Sequence, residues 1–548
     1  MHGKISEKIN SFLLSQNMKN IFRAFPRSGE QAKGMRHVVT PCEAKNRKIS
    51  GIAILISLPR QRFYQQGDVM TNLPILNFLL DHAEKQTVSF HMPGHKGSAI
   101  YQRFGFEPFL QKIMDCDITE IPGADNLFQT EGILKTAQKN YANLYGVKRS
   151  YLLINGTSGG VIAAIMASVP KGKKLIMARN SHKAIFNALV LADIQPVYAY
   201  PEIIHEYGIS GEITAHEIER CIRENPEAEA VILPSPNYYG ICSDIRAIAD
   251  VVYSHGKILI IDQAHGAHLK FFQDAGFTDM PKSAEEEGAD IVINSVHKTL
   301  ASFTQSAVLN LNSDRVDRYT LEDKLQMIQS TSPSYLLMAS LDINAAILNQ
   351  HKDQLMQEWH DALLYFYQEA GKIPGLVVIG NPFDTKEPIN LDITKLNLDM
   401  SNAGLDAAEL EQLLIEKGIY AELTTGNILM CMTGIGNTRQ HMERLIAALA
   451  AISREHAGAA RTPKKSVNAV FEEKLELFPI PQNKERIPLE KSAGRICASS
   501  IIPYPPGIPF VCPGEKLTEQ VIIYIKNLRE SGEKVIGVNE LGEVMVGK

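Results

Sequence analysis

The middle of the chain alternates between short, mainly apolar runs and longer stretches with apolar residues on one helical face. The apolar runs have the length of buried strands and lie at residues 151–154, 174–178, 196–200, 230–234, 257–261, 289–294 and 306–311. Stretches with helical periodicity separate several of them, at 183–192, 214–223 and 244–255. Buried strands connected by helices are typical of a parallel sheet that is covered on both faces. We therefore predict an α/β fold with a mainly parallel, seven-stranded sheet.

The segments on either side of this region have different patterns. Further helices are predicted at 72–85, 132–146 and 335–372. Residues 376–455 mix short strands with helices, and residues 457–466 have the Ala, Gly, Lys and Pro content of a linker. These patterns predict three domains after the N-terminal segment, namely a large domain at 70–375, a smaller α+β domain at 376–456 and a C-terminal domain at 467–548.

The first 69 residues differ from the rest of the chain in charge. They hold 12 Lys and Arg against 4 Asp and Glu, a balance of 12 − 4 = +8, whereas the whole chain carries −5. The segment lacks convincing helix or strand periodicity, and Met70 follows it directly. We expect translation to start at Met70, which would make residues 1–69 an artefact of gene prediction. The alternative is a basic, disordered tail.

The composition is that of an ordinary globular protein with more than one domain, at 548 residues, 45% hydrophobic and 21% charged. A negative net charge gives no reason to expect nucleic acid as a partner. The seven cysteines include no Cys-x-x-Cys pair, which favours a reducing compartment. The apolar stretch at 49–59 is too short to span a bilayer and lies too far along for a secretory signal. We predict a cytoplasmic protein without a membrane partner.

A lysine and an aspartate lie at equivalent positions after two of the predicted strands. Lys298 follows the run at 289–294, and Asp262 ends the run at 257–261, a spacing of 298 − 262 = 36 residues. Enzymes that use pyridoxal phosphate need a lysine to hold the cofactor as a Schiff base and an acid to pair with its pyridinium nitrogen. Each residue alone is better explained by a solvated turn or a helix cap than by a catalytic role. The pair together favours a pyridoxal phosphate enzyme.

A glycine-rich turn is suitably placed to bind the phosphate of such a cofactor. Residues 156–160, with the sequence GTSGG, lie between a predicted strand and an apolar helical run. Glycines allow close backbone approach, hydroxyls donate hydrogen bonds, and a helix N-terminus supplies free N–H groups and positive potential. Because ligands bind at the carboxyl ends of parallel strands, we expect this turn, Asp262 and Lys298 to share one site.

Six short motifs occur in a characteristic order along the chain. They are FHMPGHKG at 90–97, GTSGG at 156–160, NSHKA at 180–184, SPNYYG at 235–240, DQAHGAH at 262–268 and SVHKTL at 295–300. This set, together with the C-terminal segments PYPPGIP and PGE, resembles the bacterial Orn/Lys/Arg decarboxylase family from about residue 71 to residue 548. The resemblance implies a pyridoxal phosphate enzyme with the aspartate-aminotransferase type of fold. It is closer to the short biosynthetic form than to the large acid-inducible enzymes, which carry an extra N-terminal receiver-like domain.

The resemblance implies a role for each residue of the site. Lys298 would carry the cofactor and move protons, Asp262 would hold the pyridinium N–H, and His182 would stack on the ring. For His182 the alternative is a capping or core histidine. His265 would lie beside the cofactor near Asp262. Four residues would bind the cofactor phosphate: Thr157, Ser158, Ser295 and His297.

The resemblance also implies what the enzyme acts on and how it assembles. The reaction would be decarboxylation of a basic amino acid to its amine in polyamine metabolism, with arginine favoured over lysine and ornithine by analogy with short-form relatives. Residues 330–335 resemble a segment that reaches the partner's phosphate, which implies a homodimer or higher homo-oligomer with shared sites. A basic substrate needs an acidic or carbonyl-lined pocket, for which the candidates are Asp125, Glu515 and residues 117–121.

One position departs from the family pattern. Many relatives carry Asp-Glu-Ala-His where this chain has DQAH, so Gln263 stands in place of a glutamate. The glutamine keeps the shape of the side chain and loses its charge. We expect it to alter the polarity around the site or the substrate preference, and to leave the required residues in place.

Three other functions are compatible with parts of the pattern. An aminotransferase or lyase of the same fold would normally need an arginine for the substrate carboxylate, and the arginines after residue 376 lie in no evident motif. A non-catalytic regulator or scaffold that binds pyridoxal phosphate would have no need of the lysine, and no helix-turn-helix pattern is present. A metal site at His91 and His95 is disfavoured because a proline and a glycine between them exclude a helix face. We expect no metal.

Overall fold

In the computed structural model the seven predicted strands form one sheet, which confirms the predicted fold class. The strands are, in chain order, Arg149–Leu153, Lys174–Ala178, Gln195–Ala199, Ala228–Pro234, Ile258–Asp262, Ile291–Asn294 and Ala307–Leu311. Across the sheet they lie in the order first, seventh, sixth, fifth, fourth, second, third. The seventh strand runs antiparallel to both neighbours, and the other pairs are parallel. The carboxyl ends of the first six strands therefore meet at one edge.

The structure describes residues 73–383, 390–456, 473–504, 507–530, 532 and 534–548. The part from Pro74 to Lys548 forms one compact unit. The predicted N-terminal extension at 1–69 and the predicted linker at 457–466 lie outside the described residues. None of the helices in the described ranges has both the length and the apolar character needed to cross a membrane.

Helices cover both faces of the sheet. They are Gly156–Ser168, Lys183–Ala192, Ala215–Glu224, Ile245–Ser254, Leu269–Asp274, Ala284–Glu287, Val296–Thr299 and Arg318–Ile328. Local sequence fixes where several begin: Thr214 accepts a hydrogen bond from the Glu217 N–H at 3.2 Å, and Asp244 accepts one from the Ala247 N–H at 2.9 Å. The central strands are mainly apolar because both faces of the sheet are buried. A small ribbon, Ile203–Ile204 with Ile209–Ser210, lies outside the sheet.

The largest hydrophobic core forms around a long helix, Tyr335–Ala370. The helices that precede the sheet are Pro74–Glu84, Ala99–Arg103, Glu107–Gln111 and Ile133–Tyr145. The last of these packs on the long helix, where the Tyr141 hydroxyl donates to the Leu341 carbonyl at 2.9 Å. The helix Ile133–Tyr145 also packs on the first strand of the sheet, so it connects the sheet to the long helix.

A second, antiparallel sheet of four strands, called here the small sheet, follows the long helix. Across this sheet the strands are Val377–Val378, Lys395–Asp399, Ile428–Met432 and Leu423–Thr425. Helices Ala407–Glu416 and Arg439–His456 and the 3₁₀ helix Ser401–Ala403 accompany it. Residues Val88–Ser89 pair in parallel with Ile419–Tyr420, which brings the segment at 90–97 beside the small sheet.

The C-terminal part has a hydrophobic core of its own. Its strands pair as Lys484–Pro488 with Glu543–Gly547 and as Ile502–Tyr504 with Lys534–Ile536. The 3₁₀ helix Leu489–Lys491 and the helix Glu519–Glu530 complete it.

Candidate active site

Several of the predicted site residues line one pocket at the carboxyl edge of the seven-stranded sheet. Asp262 is the last residue of its strand, and Lys298 lies in the short helix Val296–Thr299 after the next strand. Five of the eight predicted site residues line this pocket, and Ser158, Ser295 and His297 do not. The lining residues are Thr157, Asn180, His182, Pro234, Pro236, Asn237, Tyr238, Asp262, Ala264, His265 and Lys298.

The amine of Lys298 lies beside a histidine. Its Nζ is 3.0 Å from Nε2 of His265, and the ring of Tyr238 packs on His265 with centroids 4.5 Å apart. Burial lowers the pKa of Lys298, while the negative charge of Asp262 raises it. Burial and the charge of Lys298 hold the pKa of His265 well below its usual value, so this imidazole is neutral. A lysine with a lowered pKa and a neutral acceptor beside it is a more available nucleophile than a solvated lysine.

Asp262 is a buried carboxyl group with room for another partner. It is 7% exposed and accepts a hydrogen bond from the Ala264 N–H at 3.2 Å. Burial raises its pKa, and the positive charge of Lys298 opposes that shift. A carboxylate in such surroundings is stabilised by a further cationic or N–H partner.

His182 caps a helix and also lines the pocket. Its Nδ1 accepts a hydrogen bond from the Ala184 N–H at 3.3 Å, at the start of the helix Lys183–Ala192. Burial and the charge of Lys298 lower the pKa of His182 to about 4. Because Nδ1 is an acceptor in the neutral ring, Nε2 carries the hydrogen. His182 can therefore cap the helix through Nδ1 and still present its Nε2–H to a ligand in the pocket.

The glycine-rich residues 156–160 form the beginning of the helix Gly156–Ser168, which starts before the predicted apolar helical run. Gly156 has a φ of +67°, a left-handed conformation that side chains rarely adopt. Thr157 lines the pocket and Ser158 is exposed to solvent in the first turn. The first N–H groups of a helix have no intrahelical acceptor, so this turn presents donors to an anion.

Ser295 and His297 form hydrogen bonds with each other and with the backbone. The Ser295 hydroxyl is 3.2 Å from Nδ1 of His297, and this nitrogen is 2.9 Å from the Ser306 carbonyl, to which it donates. Burial lowers the pKa of His297 to about 4, so the ring is neutral. Phosphate binding by these two residues stays a prediction.

The turn that carries Lys298 is held by close backbone contacts from distant segments. The Gly94 N–H donates to the His297 carbonyl at 2.7 Å, and the Ile435 N–H donates to the Thr299 carbonyl at 2.8 Å. A Cβ atom on Gly94 would lie 2.3 Å from the Thr299 carbonyl carbon, and one on Gly434 would lie 2.7 Å from Cα of Gly94. Only glycine allows three backbones to approach this closely.

We expect Gly94→Ala to lower the free energy of unfolding by at least about 1–3 kcal/mol, because the methyl group must displace the Lys298 turn. Denaturant titration followed by circular dichroism measures the change. Gly371→Ala is the matched control, since its Cβ would meet its nearest neighbour at 3.6 Å and its φ of −60° suits alanine. Equal stability of the two variants would contradict the close approach.

Glu422 does not line the pocket, but its charge acts on Lys298, and sequence reasoning missed it. Its carboxylate accepts a hydrogen bond from the Met92 N–H at 2.9 Å, and its negative charge raises the pKa of Lys298. The same carboxylate raises the pKa of Lys96, which burial lowers to about 7 and which donates to the Met432 carbonyl at 3.2 Å. No local motif marks Glu422, because it reaches the site only through pairing of distant segments.

Gln263 occupies a buried network of uncharged amides around one carboxylate. Its Nε2 donates to Glu285 and to the Asn294 side chain, both at 2.9 Å, and its Oε1 accepts from the Ala284 N–H at 2.7 Å. Glu285 also accepts from the side-chain amides of Asn294 at 2.7 Å and Asn310 at 2.8 Å. Gln263 thus supplies a donor that a glutamate could not supply in its ionised form.

We expect Gln263→Glu to destabilise the protein by about 1–3 kcal/mol near neutral pH, since it places a second carboxylate beside Glu285. Burial and the neighbouring charge would raise the pKa of the introduced carboxyl above its unfolded value. Folding then binds a proton, so the loss of stability is small at acidic pH and grows as the pH rises toward 7. Thermal unfolding between about pH 4.5 and pH 8 measures the trend. Adding Glu285→Gln restores a single carboxylate and is expected to recover much of the loss.

The predicted substrate carboxylates have other partners. Asp125 accepts hydrogen bonds from the backbone N–H groups of four residues, Asn126, Glu131, Gly132 and Leu134. Residues 117–121 are exposed to solvent. Glu515 is buried and binds the guanidinium of Arg179 through both oxygens, at 3.1 and 3.0 Å. We therefore assign no substrate contact to Asp125 or Glu515.

The positions of the arginines bear on the aminotransferase interpretation. No arginine lines the pocket, and Arg439 and Arg444 interact instead with Glu443 and with the Gln86 carbonyl. Across the described ranges, no group of three or more His, Cys, Asp or Glu side chains is arranged to hold a metal ion.

Comparison with known proteins identifies the family. The chain matches the model of the Orn/Lys/Arg decarboxylase major domain over residues 73–372 and that of the C-terminal domain over 453–541. An arginine decarboxylase of Bacillus subtilis is 33% identical, with 85% of this chain and 95% of that protein covered. An arginine decarboxylase of Halalkalibacterium halodurans is 32% identical, with the same 85% and 95% covered.

A solved structure shares the fold. Lysine decarboxylase A from Pseudomonas aeruginosa has a TM-score of 0.68 at 21% identity, and the match covers 87% of this chain and 80% of that one. The chain belongs to the Orn/Lys/Arg decarboxylase family, as the six motifs predicted. It is an amino-acid decarboxylase, and its substrate is a basic amino acid.

Proposed function

We propose that this pocket decarboxylates arginine to its amine with pyridoxal phosphate as the cofactor. The observation that carries the proposal is the meeting of Lys298, Asp262 and His182 in one pocket. The arginine decarboxylase of Bacillus subtilis, at 33% identity, supports arginine over lysine and ornithine. The amine would enter polyamine metabolism. The free state of the six cysteines among the described residues agrees with a reducing, cytoplasmic setting.

The pocket fits pyridoxal phosphate in its charges and in its unused polar atoms. Lys298 offers an amine with a lowered pKa, and Asp262 offers a buried carboxyl group. Two buried polar atoms of lining residues, Asn180 Oδ1 and His265 Nδ1, have no hydrogen-bond partner within the described part of the chain. Buried polar atoms are usually satisfied, so these two favour a polar ligand. Thr157 and the N–H groups of its helix turn would hold the phosphate.

When bound, pyridoxal phosphate supplies an electron sink for the electron pair that remains at Cα after carbon dioxide leaves. The negative charge of Asp262 would keep a pyridinium nitrogen protonated, which maintains that capacity. Lys298 would bind the cofactor aldehyde and later deliver a proton to Cα. His182 presents an Nε2–H on the same pocket and is the second candidate donor. Protonation at Cα yields the amine, so the position of Lys298 and His182 relative to Cα would decide the product.

A basic substrate also needs a group that binds its cationic end. Glu422 is a carboxylate whose charge acts on Lys298, and it lies in the region where residues 90–97 meet the small sheet. A guanidinium forms paired hydrogen bonds with a carboxylate, which an ammonium group cannot match in geometry. Glu422 does not itself line the pocket, and we propose it as the carboxylate that binds the substrate cation from the adjoining region of residues 90–97.

We further propose a homodimer, or a higher homo-oligomer, with shared active sites. Residues 330–332, in the segment that resembles a partner-binding one, are exposed to solvent. The helix Pro74–Glu84 buries none of its residues, and Ile75 and Phe78 are 76% and 67% exposed. Apolar surface of this kind is typical of an interface between subunits. Size-exclusion chromatography with light scattering measures the mass, and a monomer at micromolar concentration would contradict the proposal.

The decisive experiment for the function is product analysis by mass spectrometry. The full chain with pyridoxal phosphate is incubated separately with arginine, lysine and ornithine, and Lys298→Ala is the control. We expect agmatine from arginine, and less amine from the other two substrates. Cadaverine or putrescine as the main product would replace arginine as the substrate. A keto acid in place of any amine would contradict decarboxylation.

A further inference from the structure

A group of charged and polar side chains lies fully buried behind the pocket, at the start of a strand of the small sheet. Asp392, Thr394, Lys395 and His268 all have side chains with 0% exposure. We call these four residues the Asp392–Lys395 cluster. Three of them come from one short segment, and His268 comes from the loop after the strand that ends in Asp262.

Lys395 uses all three of its ammonium hydrogens, two within this cluster and one outside it. Its Nζ donates to the His265 carbonyl at 2.8 Å, to Asp392 Oδ2 at 2.6 Å and to the Thr394 hydroxyl at 3.0 Å. An ammonium group has three donors, so the geometry is saturated. Only the hydrogen bond to the His265 carbonyl joins Lys395 to a different segment, and His265 lines the pocket.

Asp392 completes the connection on the other side. Its carboxylate lies 3.1 Å from Nε2 of His268 and accepts the Thr394 N–H at 3.0 Å. His268 is three residues after His265 in the same loop, so both ends of that short stretch are bound to one segment of the small sheet. The Asp392 N–H also donates to the Gly240 carbonyl at 2.8 Å, next to the stretch that provides Tyr238.

Stability alone does not explain a fully buried ion pair. Removing two charges from water is costly, and well-packed hydrophobic residues of similar volume often serve equally well or better. What a hydrophobic pair could not provide is a directed hydrogen bond to the His265 carbonyl. His265 in turn places its Nε2 3.0 Å from Nζ of Lys298.

We infer that Lys395 is a positioning residue, which binds the loop at 262–268 to the small sheet and so fixes His265 and Asp262 relative to Lys298. The inference rests on the proposed pyridoxal phosphate chemistry of that site and extends it to a residue that does not line the pocket. The charged and titratable groups that face His265 are Lys298, His182, Asp392 and Lys395, and the Tyr238 ring packs on it.

Lys395→Met removes the contact and keeps the length of the side chain. Lys257→Met is the matched control, because Lys257 is also buried and donates to backbone carbonyls, those of Pro226 at 2.7 Å and Ala228 at 2.5 Å, at the opposite edge of the sheet. Each full-length variant is mixed with pyridoxal phosphate and reduced with borohydride. Peptide mass spectrometry then gives the fraction of Lys298 that carries the cofactor, and the pH dependence of the cofactor's visible absorbance is recorded.

We expect Lys395→Met to need about tenfold or more cofactor for half-labelling of Lys298, the loss that corresponds to about one misplaced hydrogen-bonded contact. The absorbance transition is expected to move to higher pH, because a neighbouring cation is lost. Lys257→Met is expected to lower the midpoint of thermal unfolding and to leave labelling and the absorbance transition unchanged.

The double variant Asp392→Asn/Lys395→Met separates positioning from stability, and it covers the case in which the single variant fails to fold. It has no unpaired buried charge, so its thermal midpoint is expected to recover. Labelling at Lys298 is expected to stay weak because the His265 carbonyl still lacks its donor. Recovery of labelling and of the absorbance transition together with stability would overturn the inference. Absence of labelling in the unmodified protein would instead overturn the proposed function.

Discussion

Replacing Asp262 with asparagine is expected to slow amine formation by about 10²–10³-fold at saturating cofactor, the loss typical of removing one well-placed electrostatic group. The asparagine oxygen can still accept the Ala264 N–H, so the local fold is retained. The negative charge is lost, and with it the group that would keep a pyridinium nitrogen protonated. The measurement is kcat for release of carbon dioxide from arginine, with cofactor binding followed separately.

Asp290→Asn is the matched control for this substitution. Asp290 is also fully buried and accepts a backbone hydrogen bond, from the Leu259 N–H at 2.9 Å, but it lies at the amino end of the next strand. We expect it to affect stability and to leave kcat within a few-fold of the unmodified enzyme. Equal losses of kcat in both variants would show that burial of an acid, rather than its place in the pocket, causes the effect.

Glu515→Ala is expected to lower the free energy of unfolding by about 3–5 kcal/mol, because it leaves a buried guanidinium without its counter-charge. Arg179 directly follows the strand Lys174–Ala178, and Glu515 belongs to the C-terminal part. Burial disfavours the charged form of Arg179, and the negative charge of Glu515 raises its pKa. Because arginine is not deprotonated in proteins, the guanidinium keeps its charge when Glu515 is removed. Urea titration followed by circular dichroism measures the loss.

The exposed pair of Lys516 and Glu476 provides the comparison within the same C-terminal part. Their charged atoms lie 3.1 Å apart, with side chains 41% and 68% exposed. Glu476→Ala is therefore expected to cost less than about 1 kcal/mol. If both alanine variants lost the same small amount, the Arg179–Glu515 pair would be no more than a surface contact in solution.

The sheet could be predicted because its strands are buried on both faces. A run such as residues 258–261 is apolar at every position, so neither helical periodicity nor a solvated strand explains it. Once the strands are parallel, Asp262 and Lys298 must meet at one edge, whatever the lengths of the connections between them. Asp262 and Lys298 share a pocket because of the sheet topology, and that topology can be predicted from the pattern of apolar strands and helices.

The remaining site residues depend on contacts that leave no local pattern. Glu422 is brought near residues 90–97 because Val88–Ser89 pairs with Ile419–Tyr420. Strands of two residues are too short for their pairing to be predicted from the sequence. The intramolecular partners of Asp125 and Glu515 could not be predicted for a related reason. A carboxylate in a loop has the same sequence appearance whether it binds four backbone N–H groups, a buried arginine or a ligand.

The close stacking of Gly94, Thr299 and Gly434 has a consequence for the order of folding. The hydrogen bonds that hold the Lys298 turn join residues 297 − 94 = 203 and 435 − 299 = 136 positions apart. Contacts of such long sequence separation form slowly, after local structure is already in place. The chain therefore acquires its secondary structure before it can capture a cofactor. During refolding, the far-ultraviolet circular dichroism signal should return before the cofactor attaches at Lys298. The delay between the two measures how long the small sheet takes to dock on the Lys298 turn.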